Sequence, residues 1–313
     1  MTKKTQKVFV TGAGGFLGSH LCDAFLLQGY AVFGTTHEDD SRVAHLRGNK
    51  DFKAIELDFT NEREMAYTLA DIMPDAVVHA GALNPKEPIA SPTPYFEANE
   101  RGTLTVLEAA RKAKVRKFVY ISSMSVYDKN KLTLPVSEEH PVSPNDFYSA
   151  SKYAGEMWSL LYGETLGLQV AVLRCSGIYG PRRHFGAVNN FVKNALAHKP
   201  LTIDRAMGWD LVNVKDVAMA VVQSLNVLGR RTFDVFNIGS GVLTNIEELA
   251  RLIIRETNSR SIIAFGPDFK KKTPFNFYFN INKARKLLRF EPSTLQDGIR
   301  DYVKSLKVEA NST

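Results

Sequence analysis

Residues 11–18 read TGAGGFLG, and the reading of this stretch decides the fold. It follows the β-rich run KVFVT at 7–11 and opens GFLGSHLCDAFLLQG at 15–29, where Phe16, Leu17, His20, Leu21, Ala24 and Leu27 fall mostly on one helical face. Gly12 allows a tight turn, Gly15 lets backbone approach a pyrophosphate, and Gly18 lets the helix pack close to the strand. The helix then offers its first N–H groups and positive dipole end to phosphate. A tight structural turn would need less than this, and the strand–glycine–helix context favours a dinucleotide cradle. Gly12, Gly15, Phe16 and Leu17 are its expected contacts.

Outward from the cradle, strands and helices alternate. YAVFGT, FKAIELD, PDAVVHA, KFVYISS and QVAVLR read as strands. NEREMAYTLADIM, TPYFEANERGTLTVLEAARKA and a helix containing Tyr148 that runs to about Gly163 lie between them. This is an α/β pattern: a Rossmann-type, doubly wound parallel sheet covered on both faces. After Arg174 the rhythm loosens, although VKDVAMAVVQSL and FDVFNIG rejoin the sheet. The expected division is a dinucleotide-binding domain over 1–175 with 212–240, and a smaller interleaved lobe over 176–211 and 241–313. Within that lobe, Thr244 and Glu247 have the spacing of a capping box at a helix start.

Composition narrows the function. The chain has 313 residues and a formal charge of +7, with no apolar run of the ~18 residues that would span a membrane. The early apolar run meets glycines too soon for a signal-peptide core and is read as the first strand. Cys22 and Cys175 lie far apart in apolar surroundings, which fits buried packing in a reducing cytoplasm. The positive residues are scattered apart from Lys270–Lys272, with no aromatic interleaving, so a phosphate-bearing small molecule is expected and nucleic acid is not. No metal site is expected.

In dinucleotide folds an acid at the end of the second strand binds the adenosine ribose and selects NAD. Here FGTTHEDDSR puts Thr36 at that place, followed by His37. His37 or Arg42 would accept a 2′-phosphate, which leans towards NADP, while Asp39 or Asp40 would serve NAD. Asp58 is either an adenine neighbour or a cap for the next turn.

The other informative stretch is NDFYSASKYAGE at 145–156. Tyr148 and Lys152, four apart, share a helix face. A phenol with a pKa near ~10 is a poor base at neutral pH, and a nearby ammonium or oxidised nicotinamide lowers it. Such a device also needs a hydroxyl to hold a substrate oxygen. Ser122, Ser123 and Ser125 stand at the carboxyl end of strand five, where ligands bind.

Taken together, these motifs resemble the extended short-chain dehydrogenase/reductases, the family of sugar-nucleotide epimerases and dehydratases, over nearly the whole chain. HAGA, Asn99 with GT at 102–103, LRCSGIYGPR, VKDVA, FNIGSG and INKARKLLRFEP follow in the family's order. The resemblance implies Tyr148 as general acid/base, Lys152 as the group that tunes it and binds the nicotinamide ribose, and Ser123 as the hydroxyl orienting substrate. It implies Asn99 as a supporting residue, Phe59 and Ala80 among cofactor contacts, and a homodimer.

Departures narrow the reaction. The 4,6-dehydratases of the family carry an acid after the catalytic hydroxyl, where this chain has Met124 and Ser125, which argues against elimination of water. Gly177 and Trp209 stand where many relatives have an Asn and an Arg on the substrate diphosphate. Arg182, Arg183 or Lys270–Lys272 would then substitute, with Trp209 stacking on base or sugar. The expected activity is an NAD- or NADP-dependent epimerase of a sugar or nucleotide sugar, acting through transient oxidation of a secondary hydroxyl. An NADP-dependent keto-sugar reductase or a sugar dehydrogenase is the alternative, and a non-catalytic binding protein a more distant one.

Overall fold

The computed structural model describes residues 5–37, 40–84, 91–228, 233–267, 269 and 275–311. In chain order the first elements are β1 (Lys7–Thr11), α1 (Phe16–Leu27), β2 (Ala31–Thr36), β3 (Phe52–Glu56), α2 (Glu62–Ile72) and β4 (Ala76–His79). Next come α3 (Thr93–Tyr95), a π-helical stretch Phe96–Arg101, α4 (Gly102–Lys112), β5 (Lys117–Ser123), α5 (Phe147–Leu166) and β6 (Gln169–Cys175). They are followed by β7 (Gly177–Tyr179), α6 (Ala187–Leu196), β8 (Leu201–Ile203), β9 (Met207–Asn213), α7 (Val214–Val227) and β10 (Phe233–Ile238). The chain continues through β11 (Leu243–Asn245), α8 (Ile246–Thr257), β12 (Ile263–Phe265), β13 (Phe275–Phe277), α9 (Asn282–Leu288) and α10 (Leu295–Asn311).

Seven strands form one sheet in the order β10–β6–β5–β4–β1–β2–β3, every neighbouring pair parallel. Its central strands are buried almost throughout, as a sheet covered on both faces requires. Alternation along each strand divides the apolar residues between two cores. Val8 and Val10 join Leu21 and Phe25 of α1 and Val217 and Val221 of α7 on one side. Phe9, Phe118 and Tyr120 join Met65 of α2 and Val106 of α4 on the other. Strand order reverses between β1 and β4, which opens a crevice beyond their carboxyl ends.

A smaller layer is built on β9, which pairs with β7 and β13 in parallel and with β11 antiparallel. Helices α6, α8 and α10 close over it, burying Phe191, Leu249, Ile253, Ile299 and Tyr302. The stretch 275–290, read from the sequence as part of this lobe, sends Phe277, Phe279, Ile281, Ala284, Leu288 and Phe290 into the core of the large sheet.

Two local expectations change. The helix expected over 93–113 contains the π-helical turn Phe96–Arg101, which moves Asn99 and its neighbours off simple helical spacing. The α8 cap is Asn245, whose side chain accepts from the Glu247 N–H at 2.8 Å. Thr244 is instead drawn into β11, paired with Trp209.

Candidate active site

The glycine stretch forms a cradle at the reversal of strand order. Gly12 has φ +70°, and a Cβ there would come within 2.8 Å of Gly81 Cα. A Cβ on Gly18 would lie 2.0 Å from the Gly12 carbonyl oxygen. These positions keep backbone exposed to a ligand and α1 close to β1. The α1 N-cap is Gly15, with no side chain capping it, so no side-chain oxygen competes with an anion there. This cradle fits the pyrophosphate of a dinucleotide. Phe16 and Leu17 open α1 directly above it, and Ala80 follows β4 on the other side. Phe59 packs its ring against Gly81 and Gly102, where added Cβ atoms would come within 2.6 and 2.7 Å of it.

Tyr148 lies in the first turn of α5, which Asp146 and Ser149 fix with a reciprocal capping box. Its half-buried phenol lies near enough to the Ser123 hydroxyl to be influenced by it, and 3.4 Å from Asn84 Oδ1. Ser123 caps the short turn Met124–Val126 and accepts from the Ser125 N–H at 3.2 Å and the Ser125 hydroxyl at 2.9 Å. Ser123, Ser125 and Tyr148 are therefore together. Ser122 is not: it is buried and donates to Glu156.

The sequence reading expects Lys152 to pull the phenol down, and the structure differs. Burial dominates and pushes Tyr148 up to about 12, with the Ser123 hydroxyl the largest opposing influence. Lys152 is itself only 3% exposed. Burial pushes its ammonium down to about 8 while Glu156 opposes, and its Nζ stands 4.3 Å from the centroid of the Tyr120 ring.

Behind these residues runs a polar network whose motifs the sequence displays without disclosing their partners. Asn99 clasps the backbone of Leu83, accepting from its N–H at 2.6 Å and donating to its carbonyl at 3.0 Å. It also donates to the Ser151 hydroxyl at 3.0 Å. His79 bridges Thr11 at 2.7 Å and Thr103 at 3.1 Å. Burial, assisted by the Lys152 charge, drives His79 down to about 3 and keeps it neutral. Glu156 binds Arg174 through a buried ion pair at 2.6 Å, the partner hidden in the AGE and LRC motifs.

Among residues expected near the adenosine, Thr36 is buried and His37 exposed. Arg42 donates to the Gly14 carbonyl and the Arg182 carbonyl, both at 3.2 Å. Asp40 is paired with Arg47 at 2.7 Å. Asp58 accepts from the Thr60 N–H at 2.9 Å, the capping role weighed for it. Asp39 and Lys270–Lys272 fall outside the described residues.

Of the residues expected to meet substrate, Gly177 and Trp209 lie together across the small sheet. Arg182 does not join them; its guanidinium pairs with Asp23 of α1 at 2.8 Å. Its neighbour Arg183, the other arginine expected to substitute there, lies over Phe16 at 5.2 Å and close enough to Tyr148 for the phenol to act on its charge. No metal-holding cluster of His, Cys, Asp and Glu occurs among the described residues. Nor is any helix among them long and apolar enough to cross a membrane. A cavity of about 270 Å³ between α2 and α4 contains none of these site residues.

Comparison with known proteins agrees with this geometry. Residues 8–239 match the NAD dependent epimerase/dehydratase family. The UDP-glucose 4-epimerase of Mycolicibacterium smegmatis is 30% identical over 314 residues, spanning 96% of this chain and 98% of that protein. The crystal structure of UDP-glucuronic acid 4-epimerase from Bacillus cereus in complex with NAD has a TM-score of 0.82 and 29% identity, covering 96% of this chain and 99% of that one. A dTDP-glucose 4,6-dehydratase of Streptomyces niveus is also similar, 28% identical over 321 residues, with 96% of this chain and 92% of that protein covered.

Proposed function

From the premise that this chain belongs to the NAD-dependent epimerase/dehydratase family, we propose that it is an NAD-dependent epimerase that inverts a secondary hydroxyl of a nucleotide sugar. The observation that carries the proposal is the juxtaposition of Ser123 and Tyr148 at the carboxyl end of the sheet, in a chain whose first strand and helix form the glycine cradle. Gly12, Gly15, Phe16 and Leu17 would hold the pyrophosphate, and Lys152 would hold the nicotinamide ribose. NAD, when bound, supplies a hydride acceptor that can return the hydride to either face, and a positive ring whose charge favours the phenolate of Tyr148.

The chain's own part is proton transfer and orientation. Ser123 holds the reacting oxygen against Tyr148. Tyr148 takes the hydroxyl proton as the carbinol is oxidised and returns it as the ketone is reduced. Once it has taken that proton, the neutral phenol is the acid that donates in the second half of the cycle. Inversion requires the keto sugar to present its other face, and a half-buried Trp209 offers a flat surface over which it can turn. Arg183 is the cation placed to meet a ligand phosphate.

The residues after Ser123 argue against elimination of water. Met124 and Ser125 follow Ser123 and provide no carboxyl group there for a dehydratase step. The buried, unpaired Cys22 and Cys175 fit a cytoplasmic enzyme. Exposed Phe96, Met157 and Leu161 supply an apolar face that a second copy would bury in a homodimer. The test is incubation with UDP-glucose, UDP-glucuronate and UDP-N-acetylglucosamine without added cofactor, followed by proton NMR. Appearance of the C4 epimer of any one supports the proposal. Loss of water to a 4-keto-6-deoxy product from a dTDP- or UDP-hexose would replace it with a dehydratase.

A further inference from the structure

Tyr120 is fully buried in β5, and its surroundings tie it to Lys152 in two ways. The Lys152 Nζ lies over the ring, 4.3 Å from its centroid. The phenol donates to the Lys152 carbonyl at 3.3 Å. Gly155, one turn further along α5, leaves the phenol its space: a Cβ there would lie 2.2 Å from the Tyr120 hydroxyl and 2.5 Å from Cζ. A larger residue at 155 and a phenol at 120 exclude one another.

The ring face matters because Lys152 has little else to hold its charge. From α5 it meets Glu156, whose carboxylate is already bound to Arg174 and to Ser122. From β6 it meets Cys175, whose thiol burial pushes up to about 12 and so keeps protonated. From β4 it meets His79, neutral for the same reason. A desolvated ammonium over an aromatic face gains the electrostatic attraction of the ring quadrupole, which is strongest where water is excluded.

We infer that Tyr120 is a positioning residue for the reaction. Its ring cradles and stabilises the Lys152 ammonium, its hydroxyl fixes the backbone carrying that lysine, and Gly155 is the matching vacancy. This deepens the epimerase reading, on which the role given to Lys152 rests.

The test titrates the Lys152 ε-carbon by NMR in lysine-labelled protein, with the resonance assigned through Lys152→Arg. Tyr120→Leu is expected to lower the Lys152 midpoint by about one pH unit, while Tyr120→Phe, which keeps the ring, leaves it within about a few tenths. Gly155→Ala is expected to lower it as the ring is displaced, and adding Tyr120→Phe to that variant to restore part of the loss. Should Tyr120→Leu fail to fold, fluorinating the ring of Tyr120→Phe weakens its quadrupole without changing its shape, and the midpoint should fall with each fluorine. An unchanged midpoint across the series overturns the inference, as does a Tyr120→Phe midpoint as low as that of Tyr120→Leu. The titration is read without substrate, so failure of the epimerase reading and failure of this one are separate results.

Discussion

The Trp209 indole and Gly177 fit against each other: a Cβ on Gly177 would stand 2.9 Å from both Cδ1 and Nε1 of the indole. The two departures from the family pattern are thus neighbours: the indole at 209, together with the Asp210 carbonyl oxygen, also at 2.9 Å, leaves no room for a side chain at 177. Gly177→Asn is predicted to raise KM for the nucleotide sugar by at least about tenfold, an effect of roughly 1.4 kcal/mol. Combining it with Trp209→Ala should recover part of that loss. A double-mutant cycle measures the coupling, and additive effects would show that the residues act independently.

Removing the Tyr148 hydroxyl removes the proposed proton carrier. Tyr148→Phe is predicted to lower kcat by about 10²–10⁴-fold with little change in thermal stability. Ser123→Ala should lower kcat less, because the phenol remains. Equal loss from both, or no loss from Tyr148→Phe, would remove Tyr148 from the chemistry.

Glu156 and Arg174 form a buried pair, with side chains 4% and 7% exposed. Removing one partner leaves the other charge buried without its counter-ion. Glu156→Gln should therefore destabilise the protein by about 3–5 kcal/mol in urea unfolding. A change below about 1 kcal/mol would mean that water reaches Arg174 readily.

The depressed Lys152 gives a pH signature. Its folded value is about 8 against an ordinary 10.5. Between those values the unfolded chain binds more protons than the folded one, so this group's contribution to stability rises with pH through that window. Relative to Lys152→Met, the wild type should gain at most about 1.4 kcal/mol per pH unit between about pH 8 and 10. Below about pH 8 the difference should be flat. Above pH 10 the neutral phenol of Tyr148, pushed up to about 12, works in the opposite direction. Parallel stability curves for the two proteins would contradict the assignment.

The doubly wound sheet was legible because strand and helix periods are local, and because TGAGGFLG follows a strand and opens a helix. The strand KFVYISS matches β5 residue for residue for the same reason. Tertiary pairings were not legible. Nothing in YSASK or AGE reveals that Gly155 faces Tyr120 or that Glu156 meets Arg174, since those partners lie on other elements. Thr244 has the composition of a cap, but β11 pairing claims it and passes the role to Asn245. The π turn around Asn99 differs from an α-helix by one residue of register, too little for periodicity to register. The Tyr148 phenol illustrates the same limit. A lysine four residues away is visible in sequence, whereas the burial that outweighs it is not.

The central claim, a cofactor that stays bound and returns its own hydride, is tested most directly by denaturing protein purified without added nucleotide and identifying what is released. Near-stoichiometric NAD is the predicted result. Empty protein, or protein partly loaded with NADP, would contradict it and point to an exchanging cofactor and a net reductase or dehydrogenase.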